Sequence, residues 1–456
     1  MSIRAAERPT KRVPREVANR LAATVETVLI IIGFAGMLFL LPRLDWGDGS
    51  IRYHQLRALL DQGTVPEGKY SMVGPLFSAP LWLIGEIGGA PDWWTLRYNL
   101  FLLVSGVVFV WFALRDLLPR PLLRRFILLL IFASMFAHHQ LGYNGEMFTA
   151  ILVLSGSVAL VAGRTWPGWL TVAIGVANTP ATLPALIMMV AKWVWDVRRL
   201  RWVLVVLTAV GLVMAEAWLR RGSPLATGYE GDDRGNRTIM PYSGLPGFSY
   251  PIFFGVLSLI LSFGKGLLFF APGLFLPVRQ RLRDLAAGRQ LYDLWLAFVI
   301  GLLLLYAMYW SWSGSSFWGP RYLLFAAVPA AFVLAVRSHR PADSAGADLV
   351  TVLALGLSIW VGLNGAVFGD VDVPKVCWPD GAGQYEAPIC FYTPEFSALW
   401  YPFVAGGKPL STGQWIYLTY GLAVGVYLLA GPLLRLVGHL RTWAGFATAR
   451  IRAVHW

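Results

Sequence analysis

The chain has 456 residues, of which 57% are hydrophobic and only 14% are charged, and its formal net charge is +13. A soluble domain carries about 25% charged residues, so this composition excludes an ordinary soluble protein. The basic excess invites a nucleic-acid partner, but Lys and Arg fall in short clusters between long apolar runs, and we expect no nucleic-acid binding.

The apolar runs predict an all-α polytopic membrane protein. A helix needs about 20 mostly apolar residues to cross about 30 Å of hydrocarbon. The first span, 22–41, has no small-residue cleavage site after it, so we expect a retained span rather than a signal peptide. The other crossings are expected at 95–114, 126–138, 146–162, 202–218, 251–278, 291–310, 322–336, 348–366 and 413–434.

Two further apolar stretches are not counted as single spans, because either one would invert the alternation of sides. The segment from Met72 to Gly88 contains two prolines and is predicted to lie as a helix in the outer interface. Residues 167–191 carry Asn178, Thr179 and Pro180 at their middle. We expect them to form a re-entrant helical hairpin, since broken backbone at membrane depth must be surrounded by protein or water. The fold prediction is therefore a bundle of about 11 full transmembrane helices plus this hairpin and outer interfacial helices.

The basic clusters define the predicted orientation. Placing them in the cytoplasm satisfies the positive-inside rule and puts the chain in the cytoplasmic membrane with both termini inside. The resulting organisation is a basic cytoplasmic N-terminus at 1–21, a membrane core at 22–340 with its first outer loop at 42–94, a C-terminal pair of spans at 341–434 with an outer loop at 367–412, and a basic cytoplasmic tail at 435–456.

The first outer loop brings a carboxylate to the membrane surface. Asp48 comes just after the first span and just before a stretch, Ile51–Leu60, with apolar residues at helical spacing. One interpretation is a general base at the membrane surface. The other is a helix N-cap formed by Asp48 with Gly49 and Ser50. The sequence leaves both open.

A second acid, Glu146, stands at the outer end of the predicted span 146–162. Ionisable groups at membrane depth are usually functional, although an acid also simply suits a helix N-terminus. The neighbouring pair His138 and His139 could suggest a metal site, but adjacent helical residues point to different faces. We therefore predict no metal site and no cofactor, and a divalent metal is possible but not indicated.

Several basic residues oppose the topology rule because they fall on the predicted outer side. Lys265 and Arg321 lie among glycines, which leave a cation accessible to a phosphate, and we predict that both bind one. The alternative is that their stems snorkel at the interface. The other outer basic residues with a candidate function are Arg52, Arg97, Arg220 and Arg221.

The only two cysteines, Cys377 and Cys390, fall in the last predicted outer loop. That compartment permits disulfides, so a Cys377–Cys390 bridge is predicted in preference to two free thiols.

At these positions the chain resembles the GT-C fold glycosyltransferases, the polytopic enzymes that include protein O-mannosyltransferases and the aminoarabinose transferase of lipid A. It resembles more closely the uncharacterised bacterial members related to the dolichyl-phosphate-mannose–protein mannosyltransferases. The matching pieces occur in the family's order over roughly residues 20–340. They are Gly47-Asp48-Gly49 with Arg52 and Tyr53, Tyr70-Ser71 with Pro75-Leu76, Gly222 to Tyr229, Gly264 to Leu267 with Ala271-Pro272, and Trp318 to Tyr322.

The resemblance implies transfer of a sugar, with inversion, from a polyprenyl-phosphate donor to an envelope glycan, lipid or protein on the outer face. Asp48 would be the catalytic base, with Glu146 as a second acid. Lys265, Arg321 and Arg52 would bind the donor phosphate. Substrate contacts would come from the aromatic residues of the motifs: Tyr53, Tyr70, Tyr229, Trp318 and Tyr322. The tryptophans of the outer loops would either form interfacial belts or stack on sugar rings: Trp46, Trp93, Trp94, Trp312 and Trp318. The chain departs from the protein mannosyltransferases by carrying Asp48-Gly49 where they carry an Asp-Glu pair.

Two other function classes share these features. A transporter or flippase of lipid-linked sugars would use the same cations, although the chain shows no internal repeat by inspection. A non-catalytic membrane subunit of envelope assembly would not need Asp48 together with Lys265 and Arg321.

Overall fold

The structure is a computed structural model that describes residues 15–229, 247–314, 317–369, 377, 388–404 and 409–454. These parts contain helices and no strand; an isolated β-bridge joins Leu44 to Gly142. The α-helices are α1 Arg15–Phe39, α2 Gly47–Gln62, α3 Val73–Leu76, α4 Ala79–Ile87, α5 Pro91–Thr95, α6 Tyr98–Leu114, α7 Arg120–Phe132, α8 Phe136–His139, α9 Gly145–Val161, α10 Thr165–Asn178, α11 Leu183–Val197, α12 Leu204–Arg221, α13 Ile252–Leu261, α14 Leu267–Phe270, α15 Ala286–Tyr306, α16 Ala327–His339, α17 Ala345–Val367, α18 Ile389–Tyr392 and α19 Thr412–Val454.

The predicted all-α membrane architecture is confirmed. In the described residues, six helices are long and apolar enough to cross a membrane: Asn19–Phe39, Leu200–Arg221, Ala286–Tyr306, Arg321–His339, Ala345–Val367 and Thr412–Trp443. Four apolar helical stretches are shorter: Val73–Ile87, Tyr98–Leu114, Gly145–Val161 and Ile252–Leu261. The sequence counts more full spans because it treats each apolar run as one helix. Neighbouring helices that satisfy the backbone allow shorter and broken elements at membrane depth.

The predicted break within 167–191 is present and divides the stretch into α10 and α11. Pro180 has no N–H to donate, and the chain turns through a short 3₁₀ segment, Pro180–Thr182, before α11 begins. The Asn178 side chain closes α10 by donating to the Gly145 carbonyl at 2.9 Å and accepting from the Gly74 N–H at 2.9 Å. The break is therefore level with the first turn of α9.

The segment predicted at 251–278 is also broken, into α13, α14 and the 3₁₀ turn Pro272–Phe275. α13 packs closely on the end of α15, where a Cβ added to Gly255 would lie 1.9 Å from the Ala307 carbonyl oxygen. Lys265 lies in the turn between α13 and α14. Because the helix is broken at this turn, the Lys265 side chain is buried in the interior of the protein.

Met72 to Gly88 forms two short helices, α3 and α4, instead of one. α3 packs against α9 and α10, and α4 exposes Leu83, Ile84 and Ile87. The following helix pairs pack the core of the bundle: α9 with α10, α11 with α15, α7 with α16, and α17 with α19.

The predicted disulfide between Cys377 and Cys390 is confirmed. It lies next to the α13–α14 turn, because the Gly264 N–H donates to the carbonyl of Phe391 at 2.9 Å. The bridge closes the last predicted outer loop on itself, and the Gly264–Phe391 hydrogen bond attaches the Cys390 end of that loop to the segment that carries Lys265.

Candidate active site

The centre of the candidate site is the guanidinium of Arg321. Arg321 follows Pro320 and begins the 3₁₀ helix Arg321–Ala326, which leads into α16. Its Nη1 lies 2.7 Å from Asp48 Oδ2 and 3.8 Å from Glu146 Oε1. The Arg321 side chain is 5% exposed, against 24% for Asp48 and 16% for Glu146. A buried cation is thus balanced by two carboxylates from two other segments, as a buried charge requires.

Asp48 lies in the first turn of α2 and does not cap it. α2 begins at Gly47, its N-cap residue is Trp46, and no side chain makes a capping hydrogen bond there. The Asp48 carboxylate instead accepts hydrogen bonds from Tyr70 Oη at 2.6 Å and from Arg321 Nη1. The interpretation of Asp48 as a helix N-cap is therefore wrong, because tertiary donors compete for both of its oxygens.

The electrostatics keep the Asp48 carboxylate ionised. Burial alone would raise its pKa, but the charge of Arg321 and the hydrogen bonds from Tyr70 and Arg321 together outweigh burial, so the pKa lies below the ordinary value of 3.8. The pKa of Tyr70 is raised, first by burial and then by the charge of Asp48. The phenol therefore remains protonated and donates to the carboxylate.

A loop ending at Arg321 packs onto the start of α2. The Phe317 ring stacks on the Trp46 ring, with centroids 4.7 Å apart, and the Arg321 guanidinium lies 3.9 Å from the Phe317 centroid. Lys265 Nζ donates to the carbonyl oxygens of Phe317 and Gly319. The structure thus places Lys265 beneath this loop, with its ammonium on backbone oxygens adjacent to Arg321.

Two tyrosines predicted as substrate contacts lie beside the charged centre. The Tyr322 hydroxyl accepts a hydrogen bond from Arg321 Nη2 at 3.2 Å, and its ring stacks on Tyr306 with centroids 4.4 Å apart. Tyr229 is 47% exposed, and its ring and that of Tyr70 both contact Lys69, whose Nζ lies 5.1 Å and 5.5 Å from the two centroids. Lys69 is a neighbour of the site that the sequence did not indicate.

Arg52 lies at the edge of the site. Its Nη1 donates to the Ser71 carbonyl at 3.0 Å, its guanidinium lies 5.0 Å from the Tyr70 ring centroid, and a Cβ on Gly145 would meet it at 2.7 Å. Tyr53 points elsewhere, since its hydroxyl donates to Asp92.

Trp318 also lies outside the cluster. Its Nε1 donates to Asn364 Oδ1 at 2.8 Å, and its ring packs on His138 with centroids 4.7 Å apart. His138 and His139 are both buried. Across the described ranges, no group of three or more His, Cys, Asp or Glu side chains is placed to hold a metal ion.

A second charged cluster holds the segment that carries Tyr70. Glu216, near the end of α12, pairs with Arg220 at 2.9 Å and with Arg221 at 3.0 Å. These three side chains then bind the backbone of 66–72, through the carbonyls of Pro66, Gly68 and Tyr70 and the N–H of Met72. Glu216 is a further residue of this cluster that was not predicted from the sequence. An acid four and five residues before two arginines at the end of an apolar helix is the signal that indicates it.

Two solved structures are similar to this one over most of the chain: ArnT from Cupriavidus metallidurans bound to undecaprenyl phosphate, and the same protein in the apo state. Each match covers 90% of this chain and 77% or 78% of the ArnT chain, at 14% sequence identity and a TM-score of 0.48. ArnT is a lipid A aminoarabinose transferase with the GT-C fold, which is the family that the motifs resemble. No family model and no curated protein sequence matches the chain.

Proposed function

We propose that this protein is a membrane glycosyltransferase that moves a sugar from a polyprenyl-phosphate donor to an envelope glycan, lipid or protein on the outer face of the cytoplasmic membrane. The observation that carries the proposal is the buried Arg321 guanidinium between Asp48 and Glu146. In this proposal both termini are cytoplasmic and the cluster opens to the outer side, consistent with the distribution of Lys and Arg.

Arg321 is suited to the donor phosphate. Its planar fork can bind two phosphate oxygens at once, and it keeps its charge at any physiological pH. Arg321 Nε–H is buried and has no hydrogen-bond partner among the described residues. Arg321 is the first residue of the apolar stretch Arg321–His339. This position suits a lipid donor, whose phosphate lies at the membrane surface. Lys265 supports this role by holding the loop that precedes Arg321.

The proposed reaction is a single displacement. The acceptor hydroxyl oxygen attacks the anomeric carbon and forms the new glycosidic bond. The bond from the anomeric carbon to the phosphate oxygen breaks, and its electron pair leaves with the polyprenyl phosphate. The acceptor proton passes to the carboxylate of Asp48, while Arg321 stabilises the charge that develops on the departing phosphate. Attack opposite the leaving group inverts the anomeric centre.

The low pKa of Asp48 fits this scheme only when the donor is bound. A carboxylate paired with Arg321 is a weak base. A phosphate on Arg321 neutralises part of the guanidinium charge, which raises the pKa of Asp48 towards that of a more effective base. Donor binding and base strength are then coupled through one side chain. Glu146, 3.8 Å from the same guanidinium, is the second candidate for the base.

The test is a reconstituted transfer assay with polyprenyl-phosphate sugars and envelope acceptors. It compares the wild type, Asp48→Asn and Glu146→Gln with a matched control, Asp61→Asn. Asp61 is an exposed carboxylate of α2 that pairs with Arg57. We expect Asp48→Asn to reduce transfer by at least about 10²-fold with donor binding retained, and Asp61→Asn to leave transfer unchanged.

The other outcomes are informative. Transfer that survives in Asp48→Asn but is lost in Glu146→Gln would assign the base to Glu146. Donor binding by a folded wild type that transfers to none of the glycan, lipid or protein acceptors would contradict the enzyme and favour a transporter of lipid-linked sugars.

A further inference from the structure

An open apolar groove lies between α11 and α12, far along α11 from its start beside the Asn178 break. Its volume is about 700 Å³. Its walls are mainly branched aliphatic side chains, with a tryptophan and an arginine at one end: Ile187, Val190, Val194, Val206, Trp195 and Arg198. None of these residues belongs to the candidate active site.

The groove has the length of one leaflet. From Ile187 to Arg198 the chain advances eleven residues, which along a helix is about 16 Å at about 1.5 Å per residue. Half of a hydrocarbon core of about 30 Å is about 15 Å. With the arginines after α11 at the cytoplasmic membrane surface, as the predicted orientation has them, the apolar walls would extend from that surface to about the middle of the bilayer.

The end of the groove at Arg198 is positively charged. Arg198, Arg199 and Arg201 are exposed there, and none of them has an acidic partner in the part of the chain that the structure describes. The Arg198 guanidinium lies 4.6 Å from the Trp195 ring centroid. The acids at this end, Asp196 and Asp293, are both paired with Lys192.

We propose that this groove is a binding site for an anionic phospholipid. One acyl chain would lie along Ile187, Val190 and Val194, and the headgroup phosphate would bind Arg198, Arg199 and Arg201. The groove is about as long as the acyl region of one leaflet, which suits a lipid chain. Arginines without an acidic partner favour a negatively charged headgroup. Trp195, beside the Arg198 guanidinium, would then lie at headgroup depth, where tryptophan is enriched in membrane proteins. The site is independent of the proposed transferase activity.

The experiment is native mass spectrometry of the full chain in detergent, with phosphatidylglycerol or phosphatidylcholine of identical acyl chains added. The headgroup variant is Arg198→Gln, Arg199→Gln, Arg201→Gln, and the groove variant is Ala191→Phe, which places a ring in the groove. The matched control is Arg279→Gln, Arg283→Gln, Arg289→Gln, which removes the same charge from exposed positions that do not line the groove. Thermal unfolding of each variant confirms folding.

We expect the wild type and the control to retain phosphatidylglycerol about tenfold or more over phosphatidylcholine. The headgroup variant should lose that preference, and Ala191→Phe should lose most of the bound lipid. Equal retention of the two lipids by the wild type, or an equal loss of preference in the headgroup variant and the control, would overturn the proposal. Full retention of phosphatidylglycerol by Ala191→Phe would overturn the assignment to the groove.

Discussion

Arg321 Nη1 and Asp48 Oδ2 lie 2.7 Å apart, although 273 residues separate them in the chain. The contact joins the first turn of α2 to the start of the segment that leads into α16. Glu146 and Tyr70 complete it from two further segments. The proposed chemistry therefore depends on the assembly of four separate parts of the sequence. The contribution of each contact can be tested separately.

The Asp48–Arg321 pair should contribute to stability as a coupled unit. Arg321→Gln removes the cation from the partly buried Asp48, and Asp48→Asn leaves the buried Arg321 with only the more distant Glu146, so each should cost about 1–3 kcal/mol of unfolding free energy. The double variant should cost less than the sum of the two by about 1 kcal/mol or more. Denaturant unfolding in detergent measures the three values, and additive costs would show that the pair does not interact.

The stability of this pair should depend on pH in one direction. The pKa of Asp48 in the folded protein is below its ordinary value of 3.8. The ionised carboxylate therefore contributes fully to the free energy of unfolding above pH 3.8, and this contribution is lost as the pH falls through the folded-state pKa. The stability difference between wild type and Asp48→Asn should thus be constant from about pH 7 to about pH 5 and should narrow only below about pH 4. A difference that disappears between pH 7 and 5 would contradict the assigned direction of the shift.

Tyr70→Phe removes the hydroxyl that donates to Asp48 at 2.6 Å and leaves the ring in place. That hydrogen bond lowers the pKa of Asp48, so the variant should have a higher pKa at this carboxylate. If Asp48 is the base, the acidic limb of the pH profile of transfer moves to higher pH, and the rate at neutral pH changes by about tenfold or less. Tyr53→Phe is the matched control, since the Tyr53 hydroxyl binds Asp92 outside the cluster. An unshifted limb in Tyr70→Phe would argue against Asp48 as the titrating base.

Glu216→Gln should loosen the segment that presents Tyr70. The carboxylate is 14% exposed and pairs with both Arg220 and Arg221, so its loss leaves two cations without their counter-charge and should cost about 3 kcal/mol or more. Hydrogen exchange of residues 66–72 should accelerate in the same variant. Asp61→Asn provides the comparison, because the exposed Arg57–Asp61 pair should be worth at most about 0.5 kcal/mol. An unchanged rate of hydrogen exchange at residues 66–72 would show that the cluster of Glu216, Arg220 and Arg221 does not hold this segment.

Lys265→Met should act through the loop before Arg321. The substitution keeps much of the apolar stem but leaves the carbonyls of Phe317 and Gly319 without their buried donor, at a cost of about 1–3 kcal/mol. Thermal unfolding should reveal this loss in the absence of any donor lipid, whereas Arg283→Met, at an exposed position, should be neutral. A variant of unchanged stability that binds donor more weakly would instead assign Lys265 directly to the phosphate.

The sequence by itself determined the helical membrane architecture, the break at Asn178 to Pro180 and the Cys377–Cys390 bridge. Apolar length and the missing N–H of proline act within short stretches, because the bilayer forces backbone hydrogen bonds to be made locally. The bridge could be predicted because the whole chain has only two cysteines, and both fall in one predicted loop. The sequence also placed Asp48 and Glu146 at the ends of predicted spans.

Only the tertiary structure decided which groups face one another. Local patterning allowed Asp48 to cap its own helix, but Tyr70 and Arg321, brought from distant segments, occupy its oxygens. The break between α13 and α14 directs Lys265 to the carbonyls of Phe317 and Gly319, a contact that the residues around Lys265 do not indicate, and its binding of a phosphate stays a prediction. A buried charge takes whichever partner the packing brings within about 3–4 Å. That partner is set by contacts between remote segments, and no pattern within one segment encodes it.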